Sequence, residues 1–261
     1  MVFEAAATRY HTNHWIKVGG KPYLSLLTAK HVVKFYEVNP VYDSFEEDES
    51  LRITLSEDDE VGYCEFDGKQ EHIFLVKNGK VLEKRSVRDN QTVRSMTLQQ
   101  GVYVSYGFAK HLSISNDGQY CAIAAGMDRT FWWLIDIENE EQFKIESQAL
   151  KCSWTPCFLG GESRYIAIGG MGKVEIWNIK NRSSMRVVHF GMSYVNCTFS
   201  TANVLAICTG DWMMRIFDTK SWDIVFERKF GMAPRSVHLT EDLKFLTVCN
   251  LYTFHTEYDY K

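Results

Sequence analysis

The feature that most constrains this chain is a unit that recurs along it. An apolar run ends in a small or polar residue, a polar or glycine turn follows, and a second apolar run comes after. The clearest copy is Ile114-Ser115-Asn116-Asp117-Gly118-Gln119-Tyr120-Cys121-Ala122-Ile123. Asn, Asp and Gly tolerate the positive φ angles that tight hairpin turns require, so this run predicts two antiparallel strands joined by a short turn. Further copies are Phe158-Leu159-Gly160-Gly161-Glu162-Ser163-Arg164-Tyr165-Ile166-Ala167, Phe199-Ser200-Thr201-Ala202-Asn203-Val204-Leu205-Ala206 and Leu239-Thr240-Glu241-Asp242-Leu243-Lys244-Phe245-Leu246. A looser copy spans 55–63, and another opens the chain at Val18-Gly19-Gly20-Lys21-Pro22-Tyr23-Leu24. The turns therefore begin near positions 18, 55, 114, 158, 199 and 239, most of them about 40 residues apart. The gap from 55 to 114 breaks the period, and it is read as an insertion near 88–104.

A third strand follows each hairpin. Lys173-Val174-Glu175-Ile176-Trp177-Asn178 alternates apolar and polar positions, as a strand with one face packed does. Met213-Met214-Arg215-Ile216-Phe217-Asp218, residues 32–36 and residues 130–134 occupy the same slot. More polar runs at 81–87, 185–190 and 224–230 fit an outer, solvent-facing fourth strand.

These units resemble WD repeats over nearly the whole chain. Trp177-Asn178, Phe217-Asp218 and Tyr258-Asp259 stand where that family ends its third strand in Trp-Asp, and Asp128 and Asp211 match its turn aspartate. The repeats depart from the pattern: none has the Gly-His pair, and Trp222-Asp223 is out of register. The resemblance implies an all-β chain folded over 1–261 as a single six-bladed β-propeller. The last copy stops after its third strand, so residues 2–10 are expected to supply the missing outer strand and close the ring. The alternative is an open ring completed by a partner's strand.

The 261 residues are enough for one large all-β domain or two small domains. A net charge of −4 argues against a general nucleic-acid coat. Seven cysteines without a CxxC pair read as buried free thiols in a reducing compartment, not as a zinc site or a disulfide framework. With no apolar leader and no long apolar run, a cytoplasmic or nuclear protein without a membrane span is expected. The acidic residues 43–50 are expected to form a solvated loop, with a docking site for a basic partner as the other reading.

No nucleophile elbow, P-loop, dinucleotide fingerprint or HExxH occurs. Gly169-Gly170-Met171-Gly172 sits between strands and reads as a turn, and His11 and His14 read as edge residues. No catalytic residue, cofactor or metal is expected, and the chain is not expected to be an enzyme. What the resemblance implies is a non-catalytic interaction scaffold or adaptor subunit that binds a peptide or protein on the propeller face or rim, most simply within a stable complex. An RNA–protein assembly subunit is an alternative, although direct nucleic-acid contact is not expected. A phosphoinositide-binding propeller is disfavoured because the Phe-Arg-Arg-Gly motif is missing. In WD-repeat propellers one face is built from the loops entering the first strand and those joining the second and third. On that scheme Trp15, Trp154, Tyr194 and Arg235, with His14, belong to the first set; Arg129, Trp212 and Tyr252, with Met127 and Met171, belong to the second. Trp, Tyr, Met and Arg are the side chains in which interfaces concentrate binding energy, so Trp15, Arg129, Trp154, Tyr194, Trp212, Arg235 and Tyr252 are the candidate partner-binding residues.

Overall fold

A computed structural model describes residues 12–27, 32–39, 44–56, 61–99, 112–125, 131–145, 156–159, 163–200, 203–231, 236–239, 245–249 and 257–259. The fold is all-β, a β-propeller-like series of small antiparallel meanders, and its one helical turn among the described residues is a 3-10 turn at Glu49–Leu51. No helix among them is long and apolar enough to cross a membrane. The chain falls into two compact units, 1–107 and 108–261.

The first unit holds two sheets. Strands β1 (Thr12–Val18), β2 (Lys21–Leu27), β3 (Val32–Asn39) and β4 (Ser44–Glu47) pair in chain order, and β5 (Ile53–Thr54) pairs with the start of β3. Gly19 and Gly20 both take positive φ in the β1–β2 turn, the conformation for which a Gly-Gly pair is suited. The second sheet is β6 (Val61–Phe66), β7 (His72–Lys77), β8 (Val81–Ser86) and β9 (Thr92–Thr97), again in order.

Here the pairing differs from the sequence expectation. Part of the expected turn, 57–60, lies outside the described residues; β5 pairs with β3, and the hairpin joining β6 to β7 turns at Asp67-Gly68-Lys69-Gln70. The buried Asp67 carboxylate accepts from the backbone N–H of Glu71 at 2.9 Å and lies 2.8 Å from His72 Nδ1. The run 81–87 supplies the third strand, β8, not the outer one, because Asn78-Gly79 makes a positive-φ turn directly before it. Residues 88–97, expected to belong to an insertion, form the next turn and the fourth strand β9. With the turn at Asp67 restored, the first three turns are nearly evenly spaced.

The acidic segment 43–50 is likewise not a loop over its described part. Residues 44–47 form β4, and Asp48 caps the 3-10 turn by accepting from the Ser50 N–H at 3.0 Å. Glu47 accepts from Lys34 Nζ at 2.9 Å and from Arg52 Nε at 3.1 Å. These carboxylates are engaged within their own sheet.

Sheet-on-sheet packing makes the core of this unit. Ile16, Tyr23, Leu27, Val33, Phe35 and Ile53 of the first sheet meet Cys64, Phe66, Ile73 and Leu75 of the second. Phe35 and Phe66 meet edge to face, 6.3 Å between centroids. The buried Tyr23 hydroxyl donates to Asp48 Oδ2 at 3.1 Å. Burial and that carboxylate push its pKa up to about 12. A tyrosine whose folded pKa is raised contributes stability below its unfolded pKa of about 10 and loses it as pH rises toward about 12. The urea midpoint is therefore expected to fall between pH 10 and 12, by a stability on the order of 2 kcal/mol. Tyr23→Phe should remove that part of the fall, and an unchanged alkaline slope in the variant would contradict the assignment.

Glu83 of β8 is buried in the same unit. It accepts from Lys77 Nζ at 3.0 Å, from Thr92 Oγ1 at 3.1 Å and from Arg85 Nε. Burial raises its pKa, but the two cations outweigh burial and hold the carboxyl below its ordinary value. Its contribution is present above the unfolded carboxyl pKa of about 4.3 and disappears as pH falls through the lower folded value. Glu83→Gln leaves both cations facing a neutral amide, and a loss of about 2 kcal/mol in urea unfolding at pH 7 is expected.

In the second unit, β10 (Leu112–Ile114), β11 (Tyr120–Ala125), β12 (Phe131–Asp136) and β13 (Glu141–Ile145) form one meander. Its first turn is built as the sequence suggests. Ser115 Oγ lies 2.6 Å from Asp117 Oδ1 and accepts from the Tyr120 N–H at 2.8 Å, while Gly118 sits at φ +70. Burial opposes ionisation of Asp117, but the hydrogen bonds from Ser115 and the Gln119 N–H prevail and lower its pKa.

Next come β14 (Pro156–Leu159), β15 (Tyr165–Gly169), β16 (Met171–Asn178), β17 (Ser183–Ser200), β18 (Val204–Thr209), β19 (Met213–Asp218) and β20 (Ile224–Lys229), all in one seven-stranded sheet. A last sheet has β21 (Ser236–Leu239), β22 (Phe245–Cys249) and β23 (Glu257–Asp259). The expected six blades are thus corrected to five sheets among the described residues. The reason is β17: its 18 residues pair with β16 along their first half and with β18 along their second. No break separates an outer strand from the next inner one. The expected closing strand, 2–10, lies outside the described residues.

Trp132 is the largest fully buried side chain among the described residues. With Ala122, Leu134 and Ile145 it packs against Phe158, Ile166 and Ile168 of the following sheet. Val174, Ile176, Val195, Leu205, Ile207 and Phe217 make the next such layer.

Candidate functional site

The described candidate residues of the second unit converge at one end of the seven-stranded sheet, where β15 turns into β16 and β18 into β19. Gly169 ends β15 because nothing larger fits: a Cβ there would lie 2.6 Å from Cγ1 of the buried Val195. The Val195 N–H donates to Gly170 O at 3.2 Å, and the Gly170 N–H to Lys173 O at 2.9 Å. Gly172 has φ +73, so the chain reverses within two residues and leaves Met171 exposed, 38% of its surface accessible. Backbone register sets Met171 opposite Tyr194. Val195, the next residue, is opposite Thr209 at the end of β18.

Thr209 is fully buried. Its hydroxyl lies 3.3 Å from Met213 O and also bonds Asp211 Oδ1, which in turn accepts from the Met213 N–H at 3.4 Å. Asp211 thus braces the turn, the structural role its residue type suggests. Trp212 sits at the tip. Its N–H donates to Thr209 O at 3.1 Å, and its carbonyl accepts from the Phe230 N–H at 2.9 Å. These bonds hold it at φ +68, a left-handed conformation that a bulky side chain rarely takes. The indole is nevertheless 46% exposed. A large apolar side chain held in a strained backbone and turned to solvent does nothing for the fold that glycine would not do better.

Further along β19 lies an open cleft of about 210 Å³ lined by Val188, His189, Phe190, Gly191, Arg215, Phe217 and Ile224, and Arg215 Nη1 reaches back to Thr209 Oγ1 at 3.4 Å. Phe190 and Phe217 meet edge to face at 6.2 Å. The Arg215 guanidinium lies 5.6 Å from the Phe190 ring centroid and donates through Nε to Glu227 Oε2 at 2.9 Å. An arginine over an aromatic ring, three residues along the chain from an exposed tryptophan, has the composition of a protein-binding anchor. Phe190 and Arg215 are absent from the sequence-based candidates. The signal for Arg215 is its cross-strand pairing with Glu227, visible only once the β19–β20 register is known.

Trp15 belongs to β1 and Tyr194 to β17, while Arg129, Trp154, Arg235 and Tyr252, with Met127, Asp128 and His11, lie outside the described residues. Among the described residues no group of three or more His, Cys, Asp or Glu could hold a metal ion. Cys64, Cys121 and Cys208 are buried and Cys157 is half-buried, and none of the four is in a disulfide. No known protein family matches the sequence, and no curated protein does.

Proposed function

We propose that this chain is a degenerate WD-repeat propeller that works as a non-catalytic adaptor, binding a protein or peptide through the β18–β19 end of its seven-stranded sheet within a multi-protein complex. The observation that carries this reading is Trp212: exposed, aromatic, and fixed in a left-handed backbone by the Thr209–Asp211–Met213 bonds. Residues in such conformations cluster at binding sites, where the surrounding structure over-determines them. Met171, the Phe190–Arg215 pair and the backbone position of Tyr194 extend the same surface. The WD-repeat assignment rests on the repeated turn chemistry and on Asp211. Buried cysteines without a disulfide suit a reducing cytoplasmic or nuclear setting.

Affinity purification of the tagged chain from its native cells, at two salt concentrations, tests this reading. A stoichiometric set of proteins is expected with the wild type and is expected to be lost with Trp212→Ala. A bare chain at both salts would remove the case for a constitutive subunit.

A further inference from the structure

The first half of β17 ends in Val188, His189 and Phe190 at the cleft described above, but its outer edge from Ser183 to Val187 lies apart from the cleft lining and is open among the described residues. Ser183 through His189 pair with Asn178 through Lys173 of β16 on one side. Among the described residues no strand pairs with the other side. Residues 181–187 are all exposed, Met185 by 51% and Val187 by 39%. An unpaired edge presents a row of backbone donors and acceptors that templates a further strand, and proteins blunt such edges with short length and mixed charge.

Three other outer strands are blunted in this way, although β9, with Arg94 as its one charged residue, is not. β4 is four residues long with two glutamates, β13 carries Glu141 and Lys144, and β20 carries Glu227, Arg228 and Lys229. β17 is different. No Asp or Glu occurs from Ile176 to Gly210, while Lys180, Arg182 and Arg186 all fall on or beside the open edge. Arg182 is engaged by Glu141 at 3.3 Å and lies over the Phe143 ring. Arg186 is exposed, its guanidinium 5.4 Å from the centroid of Trp222, and among the described residues it meets no carboxylate. The strand continues into the pairing with β18, so the edge is already in extended conformation before a partner adds to it.

We propose that residues 183–187 of β17 are a second docking site, which takes an extended acidic peptide segment as an added β-strand. Main-chain hydrogen bonds supply the pairing, and side chains across from the edge supply the selectivity. Arg186 and Val187 point to opposite faces of the strand, so the matching segment alternates carboxylates with apolar side chains.

Fluorescence anisotropy with a labelled ten-residue peptide alternating glutamate and valine, its ends blocked, tests this on the full chain. Saturable one-to-one binding is expected. A lysine-for-glutamate version should bind at least tenfold more weakly. So should a peptide of the first design with two central prolines, which cannot complete the ladder. Arg186→Glu should weaken the first peptide at least tenfold, Arg186→Gln less, with melting temperatures unchanged for both. Trp212→Ala should leave it unaffected, which separates this edge from the site proposed above. No saturable binding, equal binding of the proline peptide, or indifference to Arg186→Glu would overturn the proposal. So would Arg186-dependent binding to phosphatidylserine vesicles in place of the peptide.

Discussion

Trp212→Gly is expected to raise the melting temperature while abolishing partner binding. Glycine takes φ +68 without steric cost, so the substitution relieves left-handed strain on the order of 1 kcal/mol. The hydrogen bonds that shape the turn come from Thr209, Asp211 and the backbone of residue 212, and all of them survive. What disappears is an exposed indole. An aromatic anchor of this kind is worth about 2–4 kcal/mol in an interface, or roughly 30- to 1000-fold in affinity. Trp212→Ala should lose the same affinity without the gain in stability, because alanine keeps the Cβ penalty. Thermal melts on the two variants, with co-purification of the wild-type partners as the binding readout, check the opposed signs. A Trp212→Gly protein that melts lower than wild type would show that the indole is structural.

The largest loss of stability is expected from Trp132→Ala. Trp132 is fully buried between the β10–β13 meander and the sheet that follows, among Leu134, Ile145, Phe158, Ile166 and Ile168. Truncation removes the transfer energy of an indole and leaves a cavity walled by strands that cannot close on it, so a cost of about 3–5 kcal/mol is expected. Urea unfolding followed by hydrogen exchange should place this loss in residues 108–261. Loss of protection confined to the first unit would contradict the packing described. Trp133, the neighbouring residue on the opposite face of the strand, should be more tolerant because it is less completely buried.

The β-rich character was readable from hairpin chemistry. Ser115-Asn116-Asp117-Gly118 and Gly19-Gly20 form turns where their residue types demand them, and the alternating runs at 173–178 and 213–218 are third strands. The second sheet was misread because the polar run before Val61 has the composition of a hairpin turn, while Asp67-Gly68 and Asn78-Gly79 are the turns that join its strands. That slip of one strand turned β8 into an outer strand and β9 into an insertion. The continuity of β17 was hidden for a different reason. Gly191, with φ +66, marks a local irregularity but not a break, because Val195 still bonds Gly170 and keeps the strand in the sheet. At the candidate site, residue type and turn position pointed to Trp212, but nothing in the composition of the turn announces a tryptophan in the left-handed region. Asp211 was legible as a turn brace. Arg215 was not legible as a site residue, since its partners Phe190 and Glu227 lie on strands whose registers include shifts.

The most direct test of the adaptor reading places a photo-crosslinking amino acid at position 212 and, as a control, at the exposed position 93 of β9, in the chain expressed in its native cells. Discrete crosslinked protein bands from position 212, absent from position 93, are the predicted result. No crosslink at 212, or the same bands from both positions, would contradict a protein-binding site at the β18–β19 turn.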